Sequence, residues 1–147
     1  VGTGALDDAG GCYATWKALQ ILKELGLRPR RTVRLALWTN EENGLKGGSE
    51  YASRHGNEKH ILAFESDGGI FTPKGFGFTG APEMFKAYKA VGTLLHPIQA
   101  SEVIVGGGGA DISPLIAFGV PQMSIDVEGS KYFWFHHTEA DTPDKID

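Results

Sequence analysis

Four short stretches of this 147-residue sequence concentrate the side chains able to move protons or hold a metal ion. In Gly4-Ala5-Leu6-Asp7-Asp8-Ala9-Gly10-Gly11 two adjacent carboxylates stand just before a periodic apolar run. Capping a helix N-terminus is the everyday use of such acids. In Asn40-Glu41-Glu42-Asn43-Gly44 two glutamates follow a run that is apolar on both sides. They fit a solvated turn, but neighbouring like charges repel, and a nearby cation relieves that repulsion. Glu65-Ser66-Asp67-Gly68-Gly69 follows another apolar run, and Asp-Gly more commonly makes an Asx turn. Phe135-His136-His137-Thr138-Glu139-Ala140-Asp141 completes the set, and a single histidine is more often a packed or surface side chain than a ligand.

Each everyday reading outweighs its rival alone, but not in combination. Oxygen donors at three element ends plus imidazole, with no cysteine among them, suit a hard-to-borderline divalent ion, and zinc best. The one cysteine, Cys12, can close neither a disulfide within the chain nor a cysteine zinc cluster. A glutamate beside a ligating glutamate is also what hydrolysis requires, because one holds the ion while the other takes a proton from its water. Composition narrows the field further. Fourteen Lys and Arg against eighteen Asp and Glu give a net charge of −4, which argues against a nucleic-acid or anionic-membrane binder. No apolar run approaches the roughly 18 to 20 residues of a membrane span, and the first residues do not read as a signal peptide.

The elements that must position these residues follow from periodicity. Residues 9–25 carry Tyr13, Trp16, Leu19, Ile21, Leu22 and Leu25 at three and four spacings and stop at Gly26, which predicts a helix. Residues 32–39 read as a strand covered on both faces. Residues 45–54 read as a short helix weakened by Gly47 and Gly48, and residues 60–65 as the next buried strand. A short strand is expected at 76–79, and Pro82 opens a helix with Met84, Phe85, Tyr88, Val91, Leu94 and Leu95. Glycines 106–109 break the chain. A short helix at 112–118, a strand at 121–127 and a helix start at Asp141-Thr142-Pro143-Asp144 complete the expectation. Twenty-one glycines scattered among apolar runs argue for many tight turns. Length and the lack of repeats or linkers point to one domain over residues 1–147, an α/β three-layer sandwich with a mixed sheet flanked by helices. Such sheets carry their chemistry on loops at strand ends, where the acidic clusters fall.

Taken together, Gly-Ala-x-Asp-Asp-x-x-Gly at 4–11, Glu41-Glu42-Asn43-Gly44, Glu65-Ser66-Asp67 and His137-Thr138-x-x-Asp141 resemble, in order and spacing, the co-catalytic zinc exopeptidases related to bacterial leucyl aminopeptidase. The resemblance covers nearly the whole chain. It implies a site of two zinc ions bridged by Asp7, with Asp8 following, in many relatives through a cis peptide bond. It implies Glu41 as general base, Glu42 and His137 on one zinc with Asp7, and Asp67 on the other. His137 is favoured over His136 because the family's ligand directly precedes Thr or Ser. The implied activity is hydrolysis of short peptides or dipeptides from one end by a metal-activated water.

The sequence also departs from that family. The remaining ligand in relatives is the His of a His-x-Asp pair upstream of the Asp-Asp motif, and none of the five histidines here lies in that context. The family's final helix is not matched either, so the chain is expected to be an inactive internal fragment that binds at most one zinc tightly. Where aminopeptidase relatives place a tyrosine in the glycine loop, Gly107 stands. Two rivals remain, a glutaminyl-peptide cyclotransferase of the same fold and a non-catalytic binding domain that has lost its metals. The expected partner is a short peptide substrate, with neither nucleic acid nor membrane, and an oligomeric full-length protein stays open. The resemblance alone implies a secretory, lysosomal or extracellular location.

Overall fold

The computed structural model describes residues 2–145. The periodic run after the Asp-Asp pair forms α1 (Gly10–Glu24), and α2 (Lys46–His55) follows the Glu-Glu turn. Four strands make one mixed sheet: β1 (Ala63–Glu65), β2 (Pro73–Thr79), β3 (Glu102–Val105) and β4 (Gln122–Val127), in the order β1-β4-β2-β3. β1 runs parallel to β4 and β2 parallel to β3, while β2 and β4 are antiparallel. Between β2 and β3 lies α3 (Pro82–Gly92), opened by its proline, and α4 (Tyr132–Phe135) is the single turn before the histidines. The expected α/β three-layer arrangement is therefore present.

Side-chain alternation divides the sheet into two faces. The register sets Phe64, Met123 and Phe78 side by side on one of them, with Phe76 opposite Val103. α3 covers this face through Met84, Phe85 and Tyr88. Phe78 is 1% exposed, and its ring lies 4.9 Å from that of Tyr88. On the other face Ala63 packs with Ala52 of α2 and with Ile112, Leu115 and Val120, and the buried Gln122 donates from Nε2 to the Ile112 carbonyl at 2.6 Å. Gly48 lets α2 approach this layer, since a Cβ there would stand 2.2 Å from the Asp111 carbonyl oxygen. The glycine read as a weakness in the helix is thus what its packing demands.

Two expectations need correction. Residues 32–39 are extended, but no strand of the sheet pairs with them, and Val33 and Leu37 are exposed. Consecutive residues 30–38 and 58–67 line a single cavity of about 1350 Å3. Because side chains alternate along an extended chain, consecutive residues share only a backbone edge, so segment 32–39 and β1 face each other across this cavity. Ladder bonds need strands about 4.8 Å apart, which a cavity of that size does not permit. The second correction is at residues 141–144, where only one 3-10 turn, Pro143–Lys145, forms and Asp141 does not cap it. Its carboxylate is committed elsewhere, to residues 6 and 7.

Candidate metal and catalytic centre

Asp7 and Asp8 sit in the tight turn Ala5–Ala9, whose dihedrals at both residues are non-helical and whose Asp7–Asp8 peptide bond is cis. Asp8 takes the capping role foreseen for one of the pair: its Oδ1 accepts the N–H of Gly11 in the first turn of α1 at 3.1 Å. Asp7 is left facing the histidines. His137 Nε2 lies 3.3 Å from Asp7 Oδ2 and 3.0 Å from Glu42 Oε2, and His136 Nε2 lies 3.4 Å from the same Asp7 oxygen. The two imidazoles stack with centroids 3.7 Å apart, and His137 holds a left-handed backbone with φ of 58°. Tyr132 braces the arrangement, its ring stacked on His136 at 4.7 Å and its hydroxyl donating to the Asp67 carbonyl at 3.4 Å.

The turn bearing Asp7 is tied down from the far end of the chain. The buried Asp141 carboxylate accepts the N–H of Leu6 at 2.6 Å and that of Asp7 at 3.1 Å. Its backbone carbonyl accepts both the N–H and the hydroxyl of Thr3. Reading the sequence assigned Asp141 to a motif but to no task. The partners lie more than 130 residues away, so no local pattern could have named them.

Asp7, Asp8, Glu41, Glu42, Asp67 and Asp111 line the large cavity, so Asp7, Glu41, Glu42 and Asp67 of the expected site share a wall, while His137 stands outside the lining and meets it through Asp7 and Glu42. Crowding of charge is the dominant electrostatic feature. Burial first, and then Asp8, Asp7, Glu65 and Glu41, push the Asp67 carboxyl up to about 8. Burial, then the charge of Asp7, raises Asp8 to about 7 against the lowering effect of its Gly11 bond. Glu65 is raised by burial even though its carboxylate accepts the N–H of Ile112 at 2.9 Å and is also bonded by those of Ala110 and Asp111. Sites that hold several buried carboxylates together are typically ones where a cation supplies the missing charge.

The donor set can be tested against zinc. Donors of a tetrahedral zinc at bonds of about 2 Å stand roughly 3.3 Å apart. The separations of 3.0, 3.3 and 3.4 Å fall at that spacing. Donor atoms of Asp7, His136 and His137 lie mutually within 4.8 Å, whereas Glu42 is outside that group and joins it through His137. Among the described residues, His137 is the one that touches both Asp7 and Glu42. Asp7, His136 and His137 fit an ion of this size.

An α/β sandwich with carboxylates and imidazoles gathered on the loops of its sheet is the layout of a metal-dependent hydrolase. Comparison with known proteins makes the class specific: the chain matches peptidase family M28 over residues 1–147 and belongs to that family. It is 47% identical over 146 residues to carboxypeptidase Q of Xenopus laevis, covering 97% of this chain and 31% of that protein. Against carboxypeptidase Q of Homo sapiens it is 43% identical over 149 residues, covering 100% of this chain and 32% of that protein. The crystal structure of a Peptidase M28 precursor from Shewanella amazonensis SB2B superposes with a TM-score of 0.90 at 38% identity, over 99% of this chain and 34% of that one. The chain thus spans about a third of the length of the relatives it matches.

Proposed function

We propose that the protein containing these residues is a zinc-dependent exopeptidase or dipeptidase acting on short peptides. The observation that carries the reading is His137 Nε2 set between Asp7 and Glu42, with Glu41, the neighbour of Glu42, opening on the same cavity. Asp7, Glu42 and His137 would hold one ion, and Asp7 with Asp67 a second. Bound zinc would supply a Lewis acid for the scissile carbonyl and acidify water there. Glu41 accepts a proton from the attacking water and returns it to the leaving amine, the exchange expected of a general base placed beside, rather than within, the ligand set. Asp141 keeps the Asp7 turn in place through its two backbone bonds, and Tyr132 keeps His136 and the Asp67 loop together. Membership of peptidase family M28 and similarity to carboxypeptidase Q support a peptidase.

The test is a dipeptide hydrolysis assay on the full-length protein with a chelator control. Zinc-restored hydrolysis supports the reading. Cyclisation of an N-terminal glutamine without peptide-bond cleavage would replace it with a cyclotransferase, and peptide binding without turnover would replace it with a binding domain.

A further inference from the structure

Beside the metal centre stands an aromatic side chain that has no task in the chemistry so far. Phe133, in the single turn α4 that leads into the two histidines, is 79% exposed. Isolated apolar side chains on a surface are ordinary and need no explanation. Phe133 differs in what it touches. Its ring stands at 88° to that of His136 with centroids 5.8 Å apart, and at 81° to that of Tyr132 with centroids 5.2 Å apart. His136 in turn stacks on His137 and sets its Nε2 3.4 Å from Asp7 Oδ2, so side-chain contacts run from the exposed ring to the ligand set. His137 is itself 57% exposed, which leaves the centre open to solvent next to that ring.

The ring is also held in place. Backbone bonds close the turn, from the N–H of Tyr132 to the Gly129 carbonyl at 3.1 Å and from that of His136 to the Tyr132 carbonyl at 3.0 Å. Just upstream the Glu128 carboxylate accepts the N–H and the hydroxyl of Ser130 at 3.0 and 2.9 Å. An aromatic surface fixed in advance loses little freedom when something binds to it. Small-molecule sites are mostly apolar, with a few polar groups that fix orientation. Asp7, Glu42 and His137 are such polar groups, and Phe133 is the apolar surface connected to them. We infer that Phe133 is a specificity-determining residue for the proposed hydrolysis: its exposed ring receives a large apolar side chain, aliphatic or aromatic, of the peptide held at the centre. The inference rests on the peptidase reading and names its substrate class, short peptides with a large apolar residue next to the scissile bond. The ring moves no proton and holds no ion. It takes apolar surface of the substrate out of water, and a one-sided contact returns less than a closed pocket would.

The experiment measures kcat/KM of the zinc-loaded full-length protein for two dipeptide series, X-Ala and Ala-X with X as Ala, Leu or Phe, and repeats it with Phe133→Ala and Phe133→Leu. Zinc per chain by elemental analysis and mass by light scattering accompany each protein. The wild type should favour Leu and Phe over Ala by about 10-fold or more in at least one series. Phe133→Ala should lower that ratio by about 5- to 20-fold, whereas Phe133→Leu, which keeps an apolar surface, should hold it within about threefold of wild type. Both variants should carry wild-type zinc. Four results overturn the inference: a wild type with no apolar preference in either series, Phe133→Ala with its preference unchanged, an equal fall for every dipeptide together with lost zinc, which would make the ring a brace for His136, or a Phe133→Ala of lower mass that keeps its preference, which would show that a second copy covers the ring. A wild type that hydrolyses no dipeptide would instead overturn the peptidase reading, and the substrate class with it.

Discussion

Asp141→Ala is the sharpest single probe of how the centre is built. The Asp141 carboxylate is buried and accepts two backbone N–H groups, from Leu6 at 2.6 Å and from Asp7 at 3.1 Å. A hydrogen bond to a charged group is worth about 1.5 to 3 kcal/mol, so removing both predicts a loss of about 3 to 6 kcal/mol. The lower half of that range is favoured if water enters the space the side chain leaves. Metal affinity should fall too, because Asp7 loses the contact that fixes its backbone, and outer partners of metal ligands typically contribute about 10- to 100-fold. Equilibrium urea unfolding of the metal-free full-length protein measures the first effect, and competitive zinc titration measures the second. Asp141→Asn keeps the shape and one acceptor oxygen, so it should fall between wild type and alanine in both. A stability change below about 1 kcal/mol with unchanged zinc affinity would refute the idea that this carboxylate organises the Asp7 turn.

Glu41→Gln in the full-length protein should lower turnover by about 10²- to 10⁴-fold while zinc per chain stays at the wild-type value; simultaneous loss of zinc would make Glu41 a ligand. Calorimetric titration of the 147-residue chain with zinc should give one tight site built on Asp7, Glu42 and His137, with no dipeptide turnover. Two equivalent tight sites would show that the ligand set is misassigned. In the metal-free protein, Asp8 and Asp67 hold protons up to about 7 and 8 respectively, against about 3.8 for an ordinary aspartate. The folded state therefore binds more protons than the unfolded state between those limits, and stability should decline as pH rises from about 4 to 8. Stability unchanged or increasing across that window in thermal melts of chelated protein would contradict the crowding described for these carboxylates.

How much of this was legible in the sequence depended on whether the cause was local. α1, α3 and β4 were readable because their apolar spacing and their proline or glycine boundaries are properties of adjacent residues. β3 was missed: its four residues are too short for alternation to register, and Val105 is 81% exposed, so no burial pattern marked it. α1 appeared where periodicity placed it, yet Tyr13 and Trp16 are exposed, since periodicity predicts a face and not what covers it. Residues 32–39 are extended as read, but pairing depends on which edge lies alongside, and sequence composition does not carry that. At the centre, Asp7, Glu42 and His137 were found through a motif pattern and do converge. Glu65 and Asp141 were seen only as motif letters, and Asp111 was not singled out. Their partners are backbone N–H groups 47 and 135 residues away for the first two, and a cavity wall for the third.

The Asp141 contact also has a consequence in time. It joins positions 135 residues apart in the chain, and the contacts of His137 with Asp7 span nearly as far. Contacts of that separation close long loops, and the entropy of loop closure must be met before they return any stabilisation. Helices such as α1 and α3 can form early on local information, whereas the cluster of Asp7, Glu42 and His137 exists only after segments about 130 residues apart have met. Zinc uptake should therefore trail the recovery of helical circular dichroism in refolding, so that metal capture reports the last step of assembly.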